Sequence, residues 1–182
     1  TTTDGIYAGG YTTTIVATVE EWTGAGANIG GWTTSTALNT AREATSGVGT
    51  YTAALVFGGE IPPSGVTGVT ESWDGSAWTE VNDLNTGRVK IYKAGCGTQT
   101  SALLSGGANP TGSGVDNCDT WNGSSWTEVA DLNTARYNLG TAGTDNEAAL
   151  SFSGYAPPGR TTKTESYNGS SWTEVNDLNQ AR

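Results

Sequence analysis

The chain has 182 residues, a net charge of −10, seven Trp, seven Tyr, two Cys and no His. Eight scattered basic residues cannot build the cationic face that nucleic acid requires, and no apolar stretch reaches the roughly 18 residues of a membrane-spanning helix. Without imidazole or a Cys/His cluster no zinc or copper site and no Ser-His-Asp or Cys-His set is expected; no cofactor and no enzyme activity are expected, with calcium on loop carboxylates and carbonyls as the alternative.

Read from its N-terminus, the chain repeats itself. One phrase returns four times, as LNTAR at Leu38–Arg42, LNTGR at Leu84–Arg88, LNTAR at Leu132–Arg136 and LNQAR at Leu178–Arg182, with the leucines 46, 48 and 46 residues apart. A fixed period of that size marks one supersecondary unit used repeatedly, here over residues 1–41, 42–87, 88–135 and 136–182 of a single domain. A tryptophan stands six residues before each leucine (Trp32, Trp78, Trp126, Trp172), and another aromatic precedes it (Trp22, Trp73, Trp121, Tyr167). Upstream lies a small-residue pair, Gly9-Gly10, Gly58-Gly59, Gly106-Gly107 and the degraded Ser153-Gly154.

The pattern predicts four short strands per unit. Strand a follows the arginine (Glu43–Thr50, Val89–Thr98, Tyr137–Thr144). Strand b ends at the small pair (Thr52–Phe57, Ser101–Leu104, Ala148–Phe152), where the backbone turns or approaches a neighbour closely. Strand c leads to the first aromatic (Val66–Trp73, Val115–Trp121, Thr161–Tyr167), and strand d opens at the second tryptophan (Trp78–Val81, Trp126–Val129, Trp172–Val175). Asp-Gly and Asn-Gly between c and d are hairpin signals, read as turns with both residues at positive φ. No segment carries a sustained 3.6-residue apolar period, so almost no helix is expected. The chain opens at Thr1 in the position of Thr50, so the first unit has b, c and d but no a. A closed four-unit ring would need a strand from beyond Arg182 or from a partner. Cys96 falls on strand a and Cys118 on strand c, with strand b between them. Their backbones would lie about 9–10 Å apart, too far for a disulfide, and two buried free thiols are expected.

These features resemble kelch repeats: the double glycine after strand b, the acid and aromatic on strand c (Glu71-Ser72-Trp73, Asp119-Thr120-Trp121, Glu165-Ser166-Tyr167), the tryptophan opening strand d and the arginine opening strand a. The wording is closer still to a kelch-like repeat of marine bacteriophage virion and tail-fibre proteins. The resemblance implies an all-β, kelch-type β-propeller with four blades of four antiparallel strands, the first blade lacking its inner strand. It also implies a non-catalytic binding or structural module in a virion or extracellular setting. Its partners would be other virion or surface proteins or surface glycans, without nucleic acid or membrane insertion, and an oligomer is compatible with it. A cellular kelch-type protein–protein interaction module or a bacterial surface adhesin is the alternative on the same scaffold.

Residues that recur once per unit read as architecture. Arg42, Arg88, Arg136 and Arg182 are expected to pair with strand-c acids, Glu71, Asp119 and Glu165, because a planar guanidinium suits partly buried carboxylates. Glu20 and Glu21 would serve the first unit. Trp32, Trp78, Trp126 and Trp172 are expected to pack between units. The symmetric acids Glu80, Glu128 and Glu174 do not supply the unlike environments that paired catalytic carboxylates need. Recognition is expected where the copies differ, in the b–c loops, with Tyr11, Ile61, Asn109, Tyr155 and Arg160 as contacts. A Gly-rich insert at Thr23–Gly31 in the first unit is a second point of difference.

Overall fold

The computed structural model describes residues 4–11, 14–23, 31–63 and 65–181. The Gly-rich insert at 24–30, Arg182 and the side chains of Tyr11 and Trp32 lie outside the described residues.

The first unit is a three-stranded antiparallel sheet of β1 (Asp4–Tyr11), β2 (Ile15–Thr23) and β3 (Gly31–Ser35). The second pairs β4 (Ser46–Thr50), β5 (Ala53–Phe57), β8 (Thr70–Trp73) and β9 (Trp78–Val81), with β6 (Glu60–Ile61) and β7 (Gly65–Val66) as a small hairpin between β5 and β8. The third runs β10 (Gly95–Gly97), β11 (Ala102–Ala108), β12 (Gly114–Trp121) and β13 (Trp126–Val129). The fourth runs β14 (Gly140–Ala142), β15 (Ala149–Phe152), β18 (Thr164–Tyr167) and β19 (Trp172–Glu174), again with a small hairpin, β16 (Tyr155–Ala156) and β17 (Gly159–Arg160). The protein is therefore all-β, with no helix among the described residues.

The sheets follow from alternation. On β5, Ala54 and Val56 face a cluster shared with the first unit (Val19, Leu38), while Leu55 and Phe57 face a cluster shared with the third and fourth. Both faces are buried, so strand b reads as a continuous apolar run rather than an alternating one. Each fully buried Leu or Phe contributes about 1.5–3 kcal/mol. Cys96 and Cys118 are both buried and free, with Leu103 and Ser105 of β11 as their respective strand partners.

Three sequence expectations need correction. Strand a is shorter than predicted, because the second residue after the arginine turns to positive φ: Ala44 at 55°, Lys90 at 59° and Asn138 at 53°. What precedes β4, β10 and β14 is an isolated antiparallel bridge, Glu43↔Glu60, Val89↔Ala108 and Tyr137↔Tyr155. The c–d turns put only their glycine at positive φ (Gly75 94°, Gly123 93°, Gly169 90°). The preceding Asp or Asn instead accepts hydrogen bonds: Asp74 Oδ1 from Ser76 N (2.8 Å), Ser76 Oγ (2.8 Å) and Ala77 N (2.9 Å), with Asn122 and Asn168 doing the same. These are Asx turns of four residues. Finally, strand b of the third unit runs on through its glycines to Ala108, with a register shift between Ser105 and Gly107.

The second, third and fourth sheets meet through their first strands, β10 lying against both β4 and β14. Lys93 and Gly140 form a parallel bridge, Thr141 N donates to Lys93 O (2.8 Å), and Gly95 N donates to Ser46 Oγ (3.1 Å). Among the described residues no strand pairing or bridge joins the fourth sheet to the first.

Candidate functional site

The repeated phrase is a clasp. Asn39 donates from its backbone N (2.7 Å) and Nδ2 (3.0 Å) to Glu71 Oε2, while Arg42 Nη1 donates to Glu71 Oε1 (2.5 Å). On Glu165, Asn133 donates in the same way to Oε2 from its backbone N (2.7 Å) and Nδ2 (2.8 Å), while Arg136 Nη2 forms an ion pair with Oε1 at 3.0 Å without hydrogen-bond geometry. The third unit substitutes an aspartate. Its side chain is one methylene shorter, and Arg88 holds Asp119 and the Asn117 carbonyl (2.5 Å), while Asn85 Nδ2 reaches Trp126 O (3.3 Å).

All three guanidiniums are at most 1 % exposed and all three acids at most 3 %. Burial pushes the Arg88 and Arg136 guanidiniums below their ordinary value and the Asp119 carboxyl above its own, each opposed by the partner charge. With no guanidinium face open to solvent, these arginines offer nothing to an external anion. The buried pairs hold position, and such pairs are costly to break from one side.

The arginine also joins neighbouring units through its backbone. Arg88 O accepts from Gly59 N (2.8 Å) and Arg136 O from Gly107 N (2.9 Å). The glycine before each of these lies against that carbonyl. A Cβ at Gly58 would stand 2.9 Å from Arg88 O and one at Gly106 2.6 Å from Arg136 O. Among the repeat tryptophans, Trp126 reaches back to the second unit, its ring 4.8 Å from Phe57 edge-on and its Nε1 donating to Thr70 Oγ1 (3.1 Å).

Four of the loop residues fall into two separate groups, and Asn109 stands apart from both. Tyr11 ends β1 opposite Ile15. Ile61, in the β6–β7 hairpin opposite Gly65, joins Thr14, Ile15, Asn39 and Pro62 around a cleft of about 610 Å³. At the other place, Tyr155 pairs across β16–β17 with Arg160, donates from its hydroxyl to Pro158 O (3.1 Å), and stacks on Tyr137 at 5.1 Å. Lys90 Nζ sits over the Tyr137 ring at 4.5 Å, a cation–π contact from the third unit to the fourth. Asn109 serves its own loop, its Oδ1 accepting from Thr111 N (3.0 Å), Thr111 Oγ1 (2.7 Å) and Ser113 N (3.1 Å). Arg160 and the prolines at 62, 63, 157 and 158 are exposed, and both Pro-Pro bonds are cis.

A third feature escaped the sequence reading. Tyr92 and Lys93 are extra residues between Ile91 and Ala94, relative to Thr45-Ser46 and Leu139-Gly140 in the second and fourth units. Tyr92 is 57 % exposed, and the pair borders two clefts. One, of about 780 Å³, is lined by Leu139, Phe152, Ser153, Leu178 and Gln180 of the fourth unit. The other, of about 350 Å³, is lined by Ile6 and Ala8 of the first unit and Thr45 and Val48 of the second. The signal was present as the 48-residue spacing among the 46s.

No protein-family model matches this chain, and no curated protein matches it.

Proposed function

We propose that the chain is a kelch-type β-propeller of four blades, the first lacking its inner strand, that acts as a non-catalytic binding or structural module. In this reading it is a virion component, a phage fibre or decoration domain, that contacts a host-surface glycan or another structural protein. The observation that carries it is the division of labour between repeated and unrepeated residues. The repeated arginines, their strand-c acids and the Asp or Asn of the c–d turns are spent on contacts within the chain, as buried ion pairs and Asx turns. The variation lies in two hairpins with exposed cis-prolines, carrying half-buried Ile61 on one and half-buried Tyr155 and exposed Arg160 on the other. Loops fixed on a rigid frame are where recognition is carried.

A glycan array probed with the labelled chain tests the binding claim, with mass spectrometry of purified particles testing the virion assignment. Binding that Arg160→Ala weakens about tenfold supports it, the loss expected for one charge-assisted hydrogen bond. No binding together with no particle association contradicts it. Capsid and tail genes beside this reading frame favour the virion reading, and their absence favours a cellular interaction module or adhesin.

A further inference from the structure

This acidic chain keeps its unrepeated positive charge in one region. Of its eight basic residues four are the phrase arginines, and the others are Lys90, Lys93, Arg160 and Lys163, all in the third and fourth units. Lys163 is paired with Glu174 at 2.9 Å, but among the described residues neither Lys90 nor Arg160 forms an ion pair. Both belong to one row of side chains. Tyr137 and Tyr155 exchange backbone hydrogen bonds (3.1 Å and 2.8 Å), and Tyr155 pairs across the β16–β17 hairpin with Arg160. Residues directly opposite each other in an antiparallel pair share a face, so Tyr137, Tyr155 and Arg160 stand side by side. Lys90 Nζ takes the other end of the row, 4.5 Å from the Tyr137 ring, beside the loop that follows β11, where a Cβ at Gly112 would stand 3.6 Å away. The same row is Glu43, Glu60 and Val66 in the second unit and Val89, Ala108 and Gly114 in the third. Of these three rows, the fourth unit's alone has an aromatic pair with a cation at each end.

We propose that the Lys90–Tyr137–Tyr155–Arg160 row is a binding site for an acidic saccharide, one that carries a carboxylate or a sulfate. The inference rests on the glycan-contact reading above and names the class of glycan. Three properties of the row support it. First, its two cations are unspent, and a guanidinium presents a fork of donors that matches a carboxylate or sulfate. On a molecule of net charge −10, a local cationic row also directs an anion to this place while the rest of the surface repels it. Second, tyrosine rings combine apolar surface with a polar tip, which suits a pyranose, whose C–H face is apolar and whose rim is hydroxyl. Third, the row is held in place before any ligand arrives. The two rings stack at 5.1 Å, and the Tyr155 hydroxyl donates to Pro158 O (3.1 Å) across the tip of its own hairpin. Side chains already ordered lose little freedom on binding, so less of the interaction energy is consumed. The second unit shows the opposite character at the same place: Glu43 opposite Glu60 would repel the ligand that the fourth unit attracts.

The experiment is a glycan array that carries uronic-acid oligosaccharides beside their carboxyl-reduced forms, sulfated oligosaccharides beside their desulfated forms, and poly-glutamate. It is probed with the parent, with Lys90→Met, with Arg160→Ala and with the double variant. The parent should prefer an acidic glycan to its neutralised form by about a hundredfold, and each single variant should narrow that preference about tenfold, the loss expected for one charge-assisted hydrogen bond. The double variant should bind the acidic and neutralised forms alike. Whichever pair shows the preference identifies the acid. A variant that merely disturbed the fold would weaken both forms equally and leave the preference intact, which overturns the proposal. Equal binding of acidic and neutralised glycans by the parent also overturns it, while leaving the glycan-contact reading standing. Binding to poly-glutamate as tight as to the acidic glycan overturns it in favour of an acidic protein partner. No binding to any glycan overturns both this proposal and the glycan contact on which it rests.

Discussion

Single residues in this protein are best understood by comparing the copies. Trp126 Nε1 has a partner because Thr70 stands three residues before the first aromatic of the preceding unit. At that position the first unit has Val19 and the third has Cys118, and Trp78 Nε1 and Trp172 Nε1 are buried without a hydrogen bond. Cys118→Thr therefore supplies the missing acceptor to Trp172 in nearly the same volume. It should raise stability by about 0.5–1.5 kcal/mol, the usual net value of such a bond, read as the denaturant midpoint. The c–d turns allow a similar comparison. Three hydrogen bonds hold the Asp74 carboxyl below its ordinary value, Ala77 N first among them, whereas Asn122 and Asn168 make the same turn without a charge. A depressed carboxylate stabilises the fold above its unfolded pKa of about 3.9 and loses that contribution as pH falls through the folded value. The thermal midpoint of the parent should thus exceed that of Asp74→Asn at pH 6, and the gap should shrink as the pH is lowered from about 5 to about 2. A gap that stays constant over that range would show that the charge does nothing for the turn.

Among the elements, strands b, c and d were legible because apolar runs, paired aromatics and Asp/Asn-Gly steps recur in register. Strand a was over-read. Its break falls on Ala44 and Lys90, residue types that do not advertise positive φ, and only Asn138 hints at it. The small hairpins β6–β7 and β16–β17 were hidden in Pro/Gly-rich segments that read as irregular loop. The paired glycines were recognised, but their cause is tertiary: the next unit's carbonyl occupies the space of a side chain. Ser153 holds φ at 63°, as Gly58 and Gly106 hold 62°, so the backbone angle alone does not exclude a side chain. Gly106→Ser should accordingly cost about 1–3 kcal/mol by overpacking the joint with the fourth unit, measured by urea unfolding. A cost below 0.5 kcal/mol would mean the sheets can move apart freely.

At the scale of the whole molecule, the sequence disclosed the repeat, the all-β class and the pairing of arginines with strand-c acids. It did not disclose where the loop residues gather, since that depends on how sheets sit beside one another. Tyr11 and Ile61 belong to one neighbourhood and Tyr155 and Arg160 to another. Nor did it single out Tyr92 and Lys93, whose importance comes from bordering two clefts at once. The central claim is that the Leu38–Arg42, Leu84–Arg88 and Leu132–Arg136 phrases each fasten the unit that follows by burying a charge on that unit's acid. The most direct test is the unfolding free energy of Glu165→Gln, which keeps the shape and leaves Arg136 buried without its counter-charge. A loss of about 3–5 kcal/mol is expected for breaking a buried pair from one side. A change within about 0.5 kcal/mol of the parent would contradict the claim, because it would mean the pair behaves like an exposed one.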